Sequence, residues 1–65
     1  MDNGQVLSYL AKEIDKLRSE NGMFLAAGRA INVDEYRHVC GIIRGLTFAE
    51  TLIKDLAQRM ELSDD

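Results

Sequence analysis

The strongest constraint in this chain is a run of apolar residues in its second half: Val39, Ile42, Leu46, Ala49, Ile53, Leu56 and Met60. The steps between them alternate three and four throughout, which puts the whole set on one stripe of an α-helix. A half-buried strand would need a step of two. The first half carries a matching stripe at Leu7, Leu10, Ile14, Leu17, Asn21 and Phe24, interrupted only by the polar Asn21. The chain therefore reads as all-α, with two long amphipathic helices.

Start and stop signals set their ends. Asp2 or Asn3 can accept from the free N–H groups of a first helix. Gly28 suits the left-handed residue that closes a helix. Asn32 and Glu35 have the spacing of a capping box, with Ile31 and Tyr36 at the two positions of a hydrophobic staple. These signals predict a helix over about 5–27, a connection over about 28–32 and a helix over about 33–62. Asn21-Gly22 could break the first helix, but Met23 to Ala27 are better helix than loop. Gly45, with Thr47 and Glu50 as a second capping box, could break the second. The unbroken apolar phase favours continuity at both places. Glu13–Lys16, Lys16–Glu20, Glu50–Lys54 and Asp55–Arg59 stand three or four apart and are expected to pair. The polar tail Ser63-Asp64-Asp65 is expected to fray.

A connection this short makes neighbouring helices antiparallel. The expected fold is a single domain over residues 1–65, an antiparallel two-helix hairpin. At 65 residues, such a chain buries only about 60% of its unfolded surface and needs reinforcement. Cys40 is the sole cysteine, so no disulfide can form within the chain. His38 and Cys40 are too few ligands for a structural zinc, which takes four. The remaining route is a second copy, giving a homodimer that forms a four-helix bundle.

Charge and composition bound the function. The net charge of -3 argues against a protein whose main task is gripping nucleic acid. No apolar run approaches the roughly 20 residues that span a bilayer. A lone cysteine and the lack of an apolar leader point to a reducing cytoplasm. His38 and Cys40, two residues apart, diverge on a helix and cannot share one ion. The carboxylates are spread along outer faces. No catalytic residue, cofactor or metal is expected.

The segment from Val39 to Ala49 is more informative, because Arg44 is its only charge. The stripe accounts for Val39, Ile42, Leu46 and Ala49 and leaves Cys40, Gly41, Ile43, Gly45 and Phe48 unexplained. A helix apolar most of the way round is covered on more than one side. Gly41 and Gly45, four apart, allow close backbone approach. Arg37 and Arg44 share a face beside Gly41, and Arg29 lies near this zone. They could meet acids of a partner or anchor a phosphate, or simply be solvated. The candidate partner-binding or oligomer interface is Arg37, Cys40, Gly41, Ile43, Arg44, Gly45 and Phe48. Asn21, polar within a stripe, is expected to fix register.

The segment Glu35-Tyr36-Arg37-His38-Val39-Cys40-Gly41-Ile42-Ile43-Arg44-Gly45-Leu46 resembles a group of short helical proteins of tailed bacteriophages. They carry a Glu-Tyr-basic stretch followed by Gly-x-Ile-x-x-Gly-Leu or a close variant, and the likeness covers about the second half of the chain. The resemblance implies a phage origin, a helical hairpin, no catalytic residues, and a place in the host cytoplasm or the virion. The expected function is that of a non-enzymatic protein–protein interaction protein, an accessory to virion assembly or structure. Its expected partners are a second copy and another phage or host protein. The alternatives are a small inhibitor that blocks a host enzyme or defence protein, and a nucleic-acid-binding dimer.

Overall fold

Two helices, α1 over Asn3–Ala26 and α2 over Val33–Ser63, carry the fold. The computed structural model describes residues 2–63, with side-chain surroundings for residues 2–60. Asp64 and Asp65, where the sequence suggested a frayed tail, lie outside the described residues.

Each helix end is closed by chemistry written nearby. Asp2 caps α1: its Oδ1 accepts from the Gln5 N–H at 2.7 Å, and Gln5 Oε1 accepts from the Asp2 N–H at 3.2 Å. At the far end the Arg29 N–H donates to the Phe24 carbonyl and the Gly28 N–H to the Leu25 carbonyl. This pair of bonds occupies two of the last free carbonyls and needs a left-handed residue between them. Gly28 supplies it at φ 70°. Asn32 Oδ1 accepts from the Glu35 N–H at 2.8 Å and starts α2. The expected staple does not form, since Ile31 stands 85% exposed and Tyr36 is exposed too.

Both helices run through their internal glycines, Gly22 in α1 and Gly45 in α2. Thr47 does not cap a new helix, because its hydroxyl donates to the Ile43 carbonyl one turn back, at 2.9 Å. Asn21 behaves similarly: its Nδ2 donates to the Leu17 carbonyl at 2.8 Å, so its own helix satisfies the amide.

The helices lie side by side in a rod of 51 × 17 × 13 Å. Val39, 7% exposed, is the one residue of 2–60 that is buried. Around it runs a line of partly covered side chains. On α1 the line is Leu7, Ala11, Ile14, Arg18, Asn21 and Leu25. On α2 it is Val39, Ile43, Leu46, Glu50, Ile53, Ala57 and Met60. This corrects the phase read from the sequence. Leu7, Ile14 and Asn21 hold their places, as do Val39, Leu46, Ile53 and Met60, but the intervening positions move one residue on. Leu10 and Leu17 are 42% and 48% exposed, and Ile42 and Leu56 are 37% and 49% exposed. The apolar arc of each helix is wider than one contact line, and the hairpin uses one edge of it.

Candidate functional site

The unused edge of each arc makes a second stripe. On α1 it is Val6, Leu10, Leu17 and Phe24, and on α2 it is Ile42, Gly45, Ala49, Leu52 and Leu56. Phe24 and Ala49 are partly covered and the others are exposed. In both helices this stripe is turned in the same sense from the contact line, towards the preceding residue number. The helices run in opposite directions and face each other. Equal turns in the same sense, each seen from its own helix start, therefore bring the two stripes to one side of the hairpin. The result is a continuous apolar face two helices wide.

The opposite side is charged. Arg18 donates from Nη2 to Asp15 Oδ1 at 2.6 Å and from Nη1 to Glu50 Oε1 at 3.3 Å. Lys54 Nζ donates to the same Glu50 oxygen at 3.3 Å. The hydrogen bond from Asp15, and then the charge of Glu50, hold the Arg18 guanidinium above its ordinary pKa. Arg18 and Glu50 sit on the contact line itself, where the sequence suggested only apolar residues and Asn21. The available signal was Asp15 three residues before Arg18, a spacing that pairs on a helix. Of the pairs expected from spacing, Glu50–Lys54 forms. Lys16 bridges neither Glu13 nor Glu20, and Asp55 does not bridge Arg59.

The seven candidate interface residues do not gather on one surface. Ile43 is on the hairpin contact line, and Cys40, a free and partly covered thiol, lies beside it on the charged side. Gly45 belongs to the apolar face. Gly41 and Phe48 are on the outer side of α2 next to that face, with Phe48 65% exposed. A Cβ built on Gly41 or Gly45 would meet nothing within 4 Å, so the space beside both is open. Arg37 and Arg44 are exposed on the back of α2, turned away from both α1 and the apolar face.

The rim of the apolar face has its own pattern. Glu13 and Glu20 stand on the outer edge of the α1 stripe, and His38 and Arg59 on the outer edge of the α2 stripe. Near the turn two shallow notches open, one between Met23, Phe24, Ala27 and Arg29, the other between Asn21, Phe24 and Val39, with Glu20 on both rims. Among the described residues no three His, Cys, Asp or Glu side chains converge as metal ligands would. No helix among them is long and apolar enough to cross a membrane. Comparison with protein-family models, curated proteins and solved structures finds no match to this chain.

Proposed function

We propose that the hairpin is a non-enzymatic protein–protein interaction module that assembles with a second copy of itself, apolar face to apolar face, as a four-helix bundle. The observation that carries this reading is the half-exposed state of Leu10, Leu17, Ile42 and Leu56. They lie at the middle of each apolar arc. In a bundle every helix touches two neighbours, so the arc's middle points to the bundle axis and one edge faces each neighbour. The hairpin provides one neighbour for each helix, and a second copy provides the other.

Surface area supports the same reading. The hairpin exposes 5290 Å². A compact monomer of its 7.3 kDa mass exposes about 4,200 Å². The excess, about 1,100 Å², is at least the roughly 800 Å² per partner of a standard stable interface. Sedimentation equilibrium or light scattering at micromolar concentration should return twice the chain mass. A folded monomer there would overturn the reading.

The setting follows the resemblance of residues 35–46 to small proteins of tailed phages: a bundle that serves as an accessory to particle assembly. Co-purification with virions or with capsid and portal proteins is the expected outcome. Specific capture of a host enzyme or defence protein instead would move the function to inhibition.

A further inference from the structure

We infer that the second copy stacks with its two-fold axis parallel to the helices, so that α1 of one protomer lies against α2 of its partner. This rests on the self-association proposed above and goes beyond it, because two arrangements would cover the same apolar face. With the axis parallel to the helices, each α1 meets the partner's α2. With the axis across the helices, α1 meets α1 and α2 meets α2. Neighbouring helices are antiparallel in both cases, so direction alone does not choose.

Edge charge and side-chain volume both choose the first. The outer edge of the α1 stripe carries Glu13 and Glu20, and the outer edge of the α2 stripe carries His38 and Arg59. Pairing like helices would line up acidic edge with acidic edge, and basic with basic. Such edge charges set partner choice between packed helices, and like charges across an interface are repulsive. Pairing α1 with the partner's α2 brings acidic to basic. Volume agrees. The α1 stripe is Val6, Leu10, Leu17 and Phe24, all large, while the middle of the α2 stripe is Gly45 and Ala49, with open space above Gly45. Small against small would leave a void at the centre of the bundle, which packed interiors avoid.

An axis parallel to the helices permits no sliding, so it also sets the level of each contact. Leu17 stands nine residues before the end of α1 at Ala26, and Ile42 nine after the start of α2 at Val33. They are level across the hairpin, and the axis carries that level into the partner. Side chains tilt towards their helix start, so Leu17 leans one step further from the turn, to the level of Gly45 of the partner subunit. By the same count Glu20 falls within about one turn of His38 of the partner subunit.

Spin-label distances decide between the arrangements. Lys12, Ser19 and Ala26 are exposed, share one face of α1 at intervals of seven, and lie off the apolar face. In the full-length Cys40→Ser protein each is replaced by cysteine in turn and labelled, and the distance between the two copies is measured by pulsed electron resonance. In the arrangement inferred here the two α1 helices are parallel, and the three distances agree within a few ångströms. In the crossed arrangement they are antiparallel, and each step of seven residues changes the axial offset by about 21 Å, twice seven rises of 1.5 Å. Three distances that differ on this scale in a protein of dimer mass would overturn the pairing and leave the dimer standing. A monomer mass, with no distance between copies, would overturn both.

Discussion

Arg18 of α1 reaches across the hairpin to Glu50 of α2 at 3.3 Å, and each also holds a partner on its own helix, Asp15 at 2.6 Å and Lys54 at 3.3 Å. Four charges of alternating sign thus run across one side of the molecule. They identify that side as the one facing water and leave the apolar side for a partner. They also oppose a hairpin folded on the other edge of its arcs, where these charges would lose one another.

A first prediction follows from this ladder. Glu50→Lys places a cation between Arg18 and Lys54 and should lower thermal stability sharply. Arg18→Met keeps an apolar stem of similar reach on the contact line, so it should fold and melt close to the parent. Its melting should also lose dependence on salt, because screening acts on the removed pair. The Arg18 pKa is raised, so the cation's share of the stability is fully present below its ordinary value. That share is lost only as pH rises through the higher folded value. Melting curves at low and high salt test the pair. A Glu50→Lys protein as stable as the parent would show that the bridge does not hold the helices.

The second prediction concerns Val39, the best-covered side chain, and Arg44, five residues on and exposed. Val39→Ala should cost about 1.5–3 kcal/mol, the value of a fully buried side chain of this size. Val39→Asp should unfold the chain, since a buried unpaired carboxylate costs several kcal/mol against a small total stability. Arg44→Glu should leave helicity and melting nearly unchanged. Any partner that uses the Arg37–Arg44 face would lose binding in that variant. Circular dichroism during denaturation, paired with a binding assay, separates the effects. Unfolding by Arg44→Glu would show that the back of α2 is covered.

Much of this fold can be read from apolar spacing and end signals: two helices, their approximate limits, the turn at Gly28 and the antiparallel hairpin. The contact line cannot be read the same way. Spacing locates the middle of an apolar arc, and the hairpin uses an edge. Which edge depends on how the Gly28–Asn32 turn aims α2 and on which charges meet across the helices. Arg18 and Glu50 look from sequence like outer-face residues, because nothing local says that they meet. The candidate interface suffered from a related ambiguity. Residues 37–48 are contiguous and circle the helix more than three times. A list drawn from that segment therefore mixes the contact line (Ile43), the apolar face (Gly45) and the back (Arg37 and Arg44).

A third prediction separates folding from assembly. Leu17 and Leu56 are about half exposed in the hairpin, so a charge on either can still reach water. Leu17→Glu and Leu56→Glu should each shift the mass from dimer towards monomer at a given concentration. Helix content should fall much less than in Val39→Asp. Thr51→Glu, an exposed position outside the apolar face, should leave the mass unchanged. Light scattering and circular dichroism on the same samples suffice. A Leu17→Glu protein that remains a dimer would mean that the apolar face is not where the copies meet.

The last prediction sets two glycines against each other. A Cβ at Gly22 or at Gly28 would meet nothing within 4 Å, so packing decides neither case. Backbone conformation does. Gly22 lies inside α1, where glycine is less favourable than alanine by about 1 kcal/mol. Gly22→Ala should therefore stabilise by about that amount. Gly28 has φ 70°, where an L side chain crowds the following carbonyl at a cost of about 1–2 kcal/mol. Gly28→Ala should destabilise, partly offset by the reduced freedom of the unfolded chain. A D-alanine at position 28, introduced by chemical synthesis, suits the same φ and keeps that unfolded-state benefit, so it should raise stability above the parent. Denaturation midpoints of the three proteins give the order: both Gly22→Ala and the D-alanine protein above the parent, and Gly28→Ala below it. If L- and D-alanine at position 28 were equally stable, the turn would not need a left-handed residue, and the two bonds to Phe24 and Leu25 would not be what ends α1.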